Sequence, residues 1–293
     1  MVLNADQLLN LLTIAALFVM TVGMGLELKV SEFAGVARDK GLIAKALIAN
    51  FVIQPAVAVG LMLFFKPTAM ASVGIVLLAA CPAAHYAMPF TKIGKGNLAA
   101  AAGLLVLLAL STLVFAPLVL NAALPLFGDG GKPVHVPAGD VIRTVGFIIL
   151  LPLAIGMALH HRTPALAERI RKPVNGLALV LNVAMFGAVL VIQGHQLEEI
   201  RLFGGWSVML LLAVASLVIG WFMGGPNGHN RMALAHNTLL RNMGPALVIA
   251  TSQFAGSVAA PVIIAATLVN GAVGLLAAYG WKARAAATNG GRA

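Results

Sequence analysis

One cation stands apart from every other in this chain: Arg241, within Leu239-Leu240-Arg241-Asn242-Met243-Gly244-Pro245, falls inside an apolar stretch. An arginine at membrane depth is expensive, so it normally faces a partner or a wet cavity. Its planar fork of donors suits a carboxylate, a sulfonate or a phosphate. Arg241 therefore reads either as an anion-binding residue or as a structural arginine satisfied by carbonyls of broken helices. The other ionisable groups within apolar runs are His85 and His236, with Asn50, Asn237 and Asn242 as uncharged polar neighbours. Each histidine equally suits a neutral, hydrogen-bonded role inside a bundle.

Other chemistries lack their residues. The nine carboxylates (Asp6, Glu27, Glu32, Asp39, Asp129, Asp140, Glu168, Glu198 and Glu199) all fall in links or at helix ends. No acid at membrane depth can orient a histidine for nucleophilic catalysis. Cys81, His85 and His236 have no recognisable metal spacing, and no metal site is expected. Cys81 is the single cysteine and reads as a small buried residue. There is no phosphate loop or dinucleotide fingerprint. The chain is not expected to be an enzyme, and no cofactor is expected.

The elements that hold Arg241 read as membrane helices. Of 293 residues, 60% are hydrophobic and only 10% are charged, where soluble domains run near a quarter charged. Apolar runs of about 20 residues match a bilayer span. Nine spans are predicted, near 7–26, 42–64, 68–91, 97–122, 141–160, 174–194, 205–223, 232–254 and 259–281. Two are interrupted: the third by Cys81-Pro82 and Pro89, the eighth by Gly244-Pro245 next to Arg241. Proline removes a backbone donor and disturbs the helix around it, so each break also reads as a simple kink. Paired broken helices in two halves of a chain point to a transporter site between inverted repeats. The link from Leu124 to Asp140 (Gly128, Asp129, Gly130, Gly131, Lys132, Pro133 and Pro137) divides repeat one, 1–123, from repeat two, 138–282. The tail, 283–293, is expected to be disordered.

The net charge is +10, but the cations lie between apolar runs and form no nucleic-acid patch. One set of alternate links carries thirteen of them: Lys29, Arg38, Lys40, Lys92, Lys95, Arg162, Arg169, Arg171, Lys172, Arg231, Lys282, Arg284 and Arg292. The other set carries four: Lys66, Lys132, Arg143 and Arg201. Cations concentrate on the cytoplasmic side, which predicts an inner-membrane protein with its N-terminus outside and C-terminus in the cytoplasm. Lys45 is expected to snorkel to the cytoplasmic surface.

At these same residues the chain resembles the bile acid:sodium symporter family. Gly23-Met24-Gly25-Leu26-Glu27-Leu28 with Glu32-Phe33 is similar to its "GMGL-L…DF" motif, and Asn50-Phe51-Val52-Ile53-Gln54-Pro55 to its "QF…P" segment. Cys81-Pro82, followed by Lys95-Gly96-Asn97, resembles its "CPGG…SN…KG[ND]" crossing helix. Arg241-Asn242-Met243-Gly244 sits where the family has "QNSG", and Phe254 where the motif region closes with an aromatic. The resemblance implies an all-α fold of ten helices, here nine with the first absent. It also implies a core and a panel domain, with two broken helices crossing at the substrate site. Asn242 matches the family's substrate-contacting Asn, and Arg241, His85 and His236 join it as expected substrate contacts from their place inside the spans, next to the breaks read at Pro82, Pro89, Gly244 and Pro245.

The family's sodium ligands do not carry over. Its positions fall on Asn50, Ala87, Met88, Ala101, Leu105, Asn237 and Arg241. Loss of the single carboxylate and most neutral oxygens, with gain of a cation, disfavours a sodium site by charge alone. The expected function is secondary transport of small organic anions across a lipid bilayer, with Arg241 standing in for the sodium charge. Two other readings stay open: an ordinary sodium-coupled symporter, and a membrane receptor that binds organic acids without moving them.

Overall fold

The computed structural model describes residues 5–28, 36, 38–82, 84–128, 134–196, 198, 200 and 204–290. Lys29, Glu32, Phe33, Ala83, Asp129, Gly130, Gly131, Lys132, Pro133, Glu199, Arg201 and Arg292 lie outside the described residues, as does the side chain of Asp6. Every regular element among the described residues is a helix. We number the helices α1 (Ala5–Glu27), α2 (Lys40–Phe65), α3 (Ala69–Ala79), α4 (Ala87–Ile93), α5 (Leu98–Ala123), α6 (Ala138–Arg162), α7 (Pro164–Gln193), α8 (Gly205–Met223), α9 (Gly228–Leu239), α10 (Met243–Gln253) and α11 (Ala259–Gly290). Seven of them (α1, α2, α5, α6, α7, α8 and α11) are long and apolar enough to cross a bilayer. The two interrupted spans are each resolved into a pair, α3 with α4 and α9 with α10.

The starts follow from side chains that offer an acceptor to orphan N–H groups. Asp39 caps α2 through the Leu42 N–H at 2.9 Å, and Thr68 caps α3 through Ala71 at 3.3 Å. Asn97 caps α5 through Ala100 at 3.1 Å, and Asn227 caps α9 through His229 at 2.9 Å. Lys95-Gly96-Asn97 is also docked across the fold. The Asn97 amide donates to Asn230 Oδ1 at 2.8 Å, and its N–H donates to the His229 carbonyl at 3.1 Å. That motif therefore ties the end of the first broken helix to the start of the second.

Two boundaries depart from the sequence reading. The expected link before residue 174 is instead the first part of α7, which starts at Pro164 and runs through Pro173. Proline at the helix start costs nothing, and Arg171 pairs with Glu168 at 2.8 Å one turn apart. The expected disorder after Trp281 is also corrected, because α11 continues to Gly290. Its extension, Ala-Arg-Ala-Ala-Ala, consists of strong helix formers.

Two helices carry a π-turn ahead of a proline. In α2, residues Ala49–Ile53 form it, and the Gln54 N–H donates to the Ala49 carbonyl five residues back. In α6, residues Gly146–Leu150 form it, and Leu151 donates to Gly146 in the same way. Pro55 and Pro152 follow and offer no N–H. Each turn therefore leaves a carbonyl that its own helix does not pair.

α1 packs on α6 and α7 as one group, with the broken helices, α5, α8 and α11 forming the other body of the core. α1 meets α6 at two glycines. A Cβ on Gly25 would lie 2.5 Å from the Leu153 carbonyl oxygen and 2.9 Å from the Gly156 Cα, and one on Gly156 would strike the Val22 carbonyl. The second glycine of the "GMGL" motif is thus a point of backbone contact. His160 Nδ1 with the Leu26 carbonyl, and the Asn175 amide with Glu27 Oε1, both at 2.8 Å, close the end of the same group. Gly156→Ala is expected to destabilise the detergent-purified protein by about 1–3 kcal/mol through overpacking. Gly187→Ala, with open space around it, serves as control and is expected to leave the melting temperature unchanged or slightly higher.

Candidate functional site

The two breaks meet. The Asn242 N–H donates to the Cys81 carbonyl at 2.8 Å, and Tyr86 Oη donates to the Arg241 carbonyl at 2.9 Å. The Asn242 side chain caps α10 through the Gly244 N–H at 3.1 Å. Pro82 follows α3 and Pro89 lies in the first turn of α4, so neither half-helix can extend through the gap. Gly244 and Pro245 occupy the first turn of α10, where a proline lacks only an N–H that would be orphaned anyway.

Arg241 lies in this crossing with 2% of its surface exposed. Its Nη1 donates to the Ala79 carbonyl at 3.3 Å and the Asn50 carbonyl at 3.4 Å. Both acceptors are orphans for local reasons. Ala79 ends α3, where the last carbonyls have no helical partner. Asn50 follows the displaced register of the π-turn, and the donor it would have next is Pro55. A single guanidinium thus spans a broken helix and a bulged one. Nε and Nη2 of Arg241 have no hydrogen-bond partner among the described residues.

The positions that the resemblance aligns with sodium ligands surround this crossing. Asn50, Ala87, Ala101, Leu105 and Asn237 are all fully buried. The Asn50 amide donates to the Ala46 carbonyl at 2.9 Å and to Thr238 Oγ1 at 3.3 Å. The Asn237 amide donates to the Ala233 carbonyl at 3.0 Å and the Ala101 carbonyl at 3.3 Å. Ala87 and Leu105 bring no side-chain oxygen, and Met88 turns to a different space.

That space is a cavity of about 690 Å³ between α1 and α7 on one side and the first break, α10 and α11 on the other. Of the expected substrate contacts, His85 lines it, together with Met88 and Pro89. Arg241, Asn242 and His236 are not among its lining residues. His236 is held elsewhere, its Nδ1 at 3.1 Å from Thr91 Oγ1 and its Nε2 at 3.4 Å from the Gly274 carbonyl. Phe90 and Trp281 stand edge-on to its ring at 6.0 and 5.1 Å.

Most of the wall was not singled out from sequence. Met20, Met24 and Met243 contribute flexible, polarisable surface, and Asn175, Asn182 and Thr267 contribute sparse polarity. A signal was present: Met20 and Met24 stand four apart on α1, and Asn175 and Asn182 stand seven apart on α7. Those spacings put each pair on one helix face. Glu27 is the one charged lining residue, at the end of α1. An apolar cavity with few polar groups is the usual form of a small-molecule site.

A model of the Sodium Bile acid symporter family matches residues 14–200, which include the first break and end before the second. A Bacillus subtilis protein named as an uncharacterized sodium-dependent transporter, YocS, is 26% identical over 266 residues, covering 88% of this chain and 79% of its own length. A rice protein named as a probable chloroplastic sodium/metabolite cotransporter, BASS2, is 24% identical over 216 residues, covering 73% of this chain. The rabbit ileal sodium/bile acid cotransporter is 25% identical over 216 residues. The matched stretch spans 49% of the rice protein and 60% of the rabbit one.

Tyr86→Phe removes the donor to a buried carbonyl at the crossing without changing shape. It is expected to lower stability by about 1–3 kcal/mol, read as a drop in melting temperature in detergent.

Proposed function

Because the chain belongs to the Sodium Bile acid symporter family, we propose that it is a secondary transporter of organic anions that runs without sodium coupling. The observation that carries this reading is the Arg241 fork at the helix crossing, donating to the Asn50 and Ala79 carbonyls. There a covalently held +1 charge takes the place that the resemblance gives to a bound cation. A fixed guanidinium holds the crossing in every step of a cycle, so no ion must bind to assemble it. The Asn50, Ala79 and Ala101 carbonyls already accept from side-chain N–H donors, so they are not free to ligate a cation.

The substrate site in this reading is the large cavity. Its wall supports an organic anion with an apolar body, and the four methionines suit a range of shapes. Counting cations places the Glu27 end of α1 in the cytoplasm and the N-terminus outside. The Glu27 and Asn175 end of the cavity then faces the cytoplasm. Transport would proceed by rocking of α1, α6 and α7 against the crossing helices, as in carriers built from inverted repeats. The matching π-turns ahead of Pro55 and Pro152 support two such repeats, over 1–123 and 138–282.

Ordinary sodium symport is the second reading, favoured by the sodium-dependent names of the relatives. Uptake of radiolabelled organic acids into proteoliposomes separates the two. With sodium replaced by potassium on both sides, the initial rate is expected to stay within about twofold, and Arg241→Ala is expected to lower it by about tenfold or more, as loss of a buried charged hydrogen bond would. Uptake that rises steeply with an inward sodium gradient would overturn the sodium-free reading in favour of symport.

A further inference from the structure

Arg241 lines a second, much smaller cavity of about 10 Å³ inside the bundle. Its other polar walls are Gln54 of α2, Ser216 of α8 and Asn270 of α11, among apolar side chains. All four are buried: Arg241, Gln54 and Ser216 at 2% exposure and Asn270 at 8%. Nη1 of Arg241 is committed to its two carbonyls, while Nε, Nη2 and the Gln54 Oε1 have no partner among the described residues. Arg241 forms no ion pair among those residues. Asp140 is beside Arg143, and Glu168 beside Arg171.

We propose that this cavity binds one monatomic anion, a halide, between Arg241 and the side-chain amides of Gln54 and Asn270. The space admits one small spherical occupant and no polyatomic anion. A water there would accept from Nε or Nη2 but leave a full positive charge uncompensated in apolar surroundings. An uncompensated buried charge is among the most destabilising features a fold can carry. A halide supplies the counter-charge and accepts from several N–H donors at once. The Gln54 amide can be turned so that its NH₂ faces the anion, because the two ends of an amide are assigned from their hydrogen bonds. Ser216 Oγ already donates to the Leu212 carbonyl at 2.7 Å, so it forms wall and no anchor. The site would make the helix crossing electroneutral, with the guanidinium shared between two backbone carbonyls and one ion.

The inference is independent of what the protein transports, since it is read from stability. The detergent-purified full chain is melted in N-methylglucamine chloride, bromide or gluconate at constant ionic strength. Chloride and bromide are expected to raise the melting temperature saturably by roughly 4 °C over gluconate. Ser216→Leu, which fills the cavity and leaves Arg241 in place, is expected to abolish the difference. Equal melting in all three salts would overturn the proposal and leave a water as the occupant. A halide effect kept in full by Ser216→Leu would overturn it as well. Bromide-soaked crystals of the unmodified protein give the direct arm. An anomalous peak beside Arg241 supports the site, and bromide found at surface lysines alone contradicts it.

Discussion

A guanidinium that pairs orphan carbonyls from two different helices is the constraint on which the rest of this architecture depends. Inside a bilayer every backbone group must find a partner within the protein. The chain breaks that rule deliberately at the end of α3 and, through Pro55, in the middle of α2. Leaving either the Ala79 or the Asn50 carbonyl unmade would cost about 1–3 kcal/mol. Arg241 Nη1 serves both. It can do so because it sits in the gap between α9 and α10, where no helical backbone occupies the space. The second break therefore supplies the side chain that satisfies the first.

The surrounding contacts lock this arrangement. The Asn242 N–H on the Cys81 carbonyl and the Tyr86 hydroxyl on the Arg241 carbonyl join the two gaps backbone to backbone. Thr238 and Asn50 join α9 to α2, and Asn237 joins α9 to α5. Tyr86 also lines the large cavity, so a ligand there would touch a residue bonded directly to the crossing. That connection is the physical route by which occupancy of the cavity and the geometry of the crossing would influence each other.

The sequence made much of this legible, for reasons that differ by element. Pro82, Pro89 and Gly244-Pro245 announced the two breaks, because proline removes a donor wherever it stands. The long apolar runs announced α1, α5 and α8 with ends close to those observed. The structural alternative for Arg241, satisfaction by carbonyls of broken helices, was also readable, because no carboxylate lies nearby in the chain. What could not be read was its direction. Outside a regular helix no periodicity fixes where a side chain points, so sequence could not tell the crossing from the large cavity. The start of α7 was missed because Pro173 reads as a stop, yet the helix passes through it. The π-turns were invisible because a proline in mid-span, as Pro55 and Pro152 are in the predicted spans 42–64 and 141–160, reads only as a kink. The polar wall of the cavity, Asn175 and Asn182, was hidden in a long helix whose other faces are exposed to lipid.

Central to this account is a crossing assembled by Arg241 and not by a bound sodium ion. Its most direct test is the melting temperature of the purified, substrate-free protein as sodium replaces potassium at constant chloride. An ion that binds only the folded state must raise that temperature as its concentration rises. The account predicts the same melting temperature across the series. A saturable rise specific to sodium would contradict it.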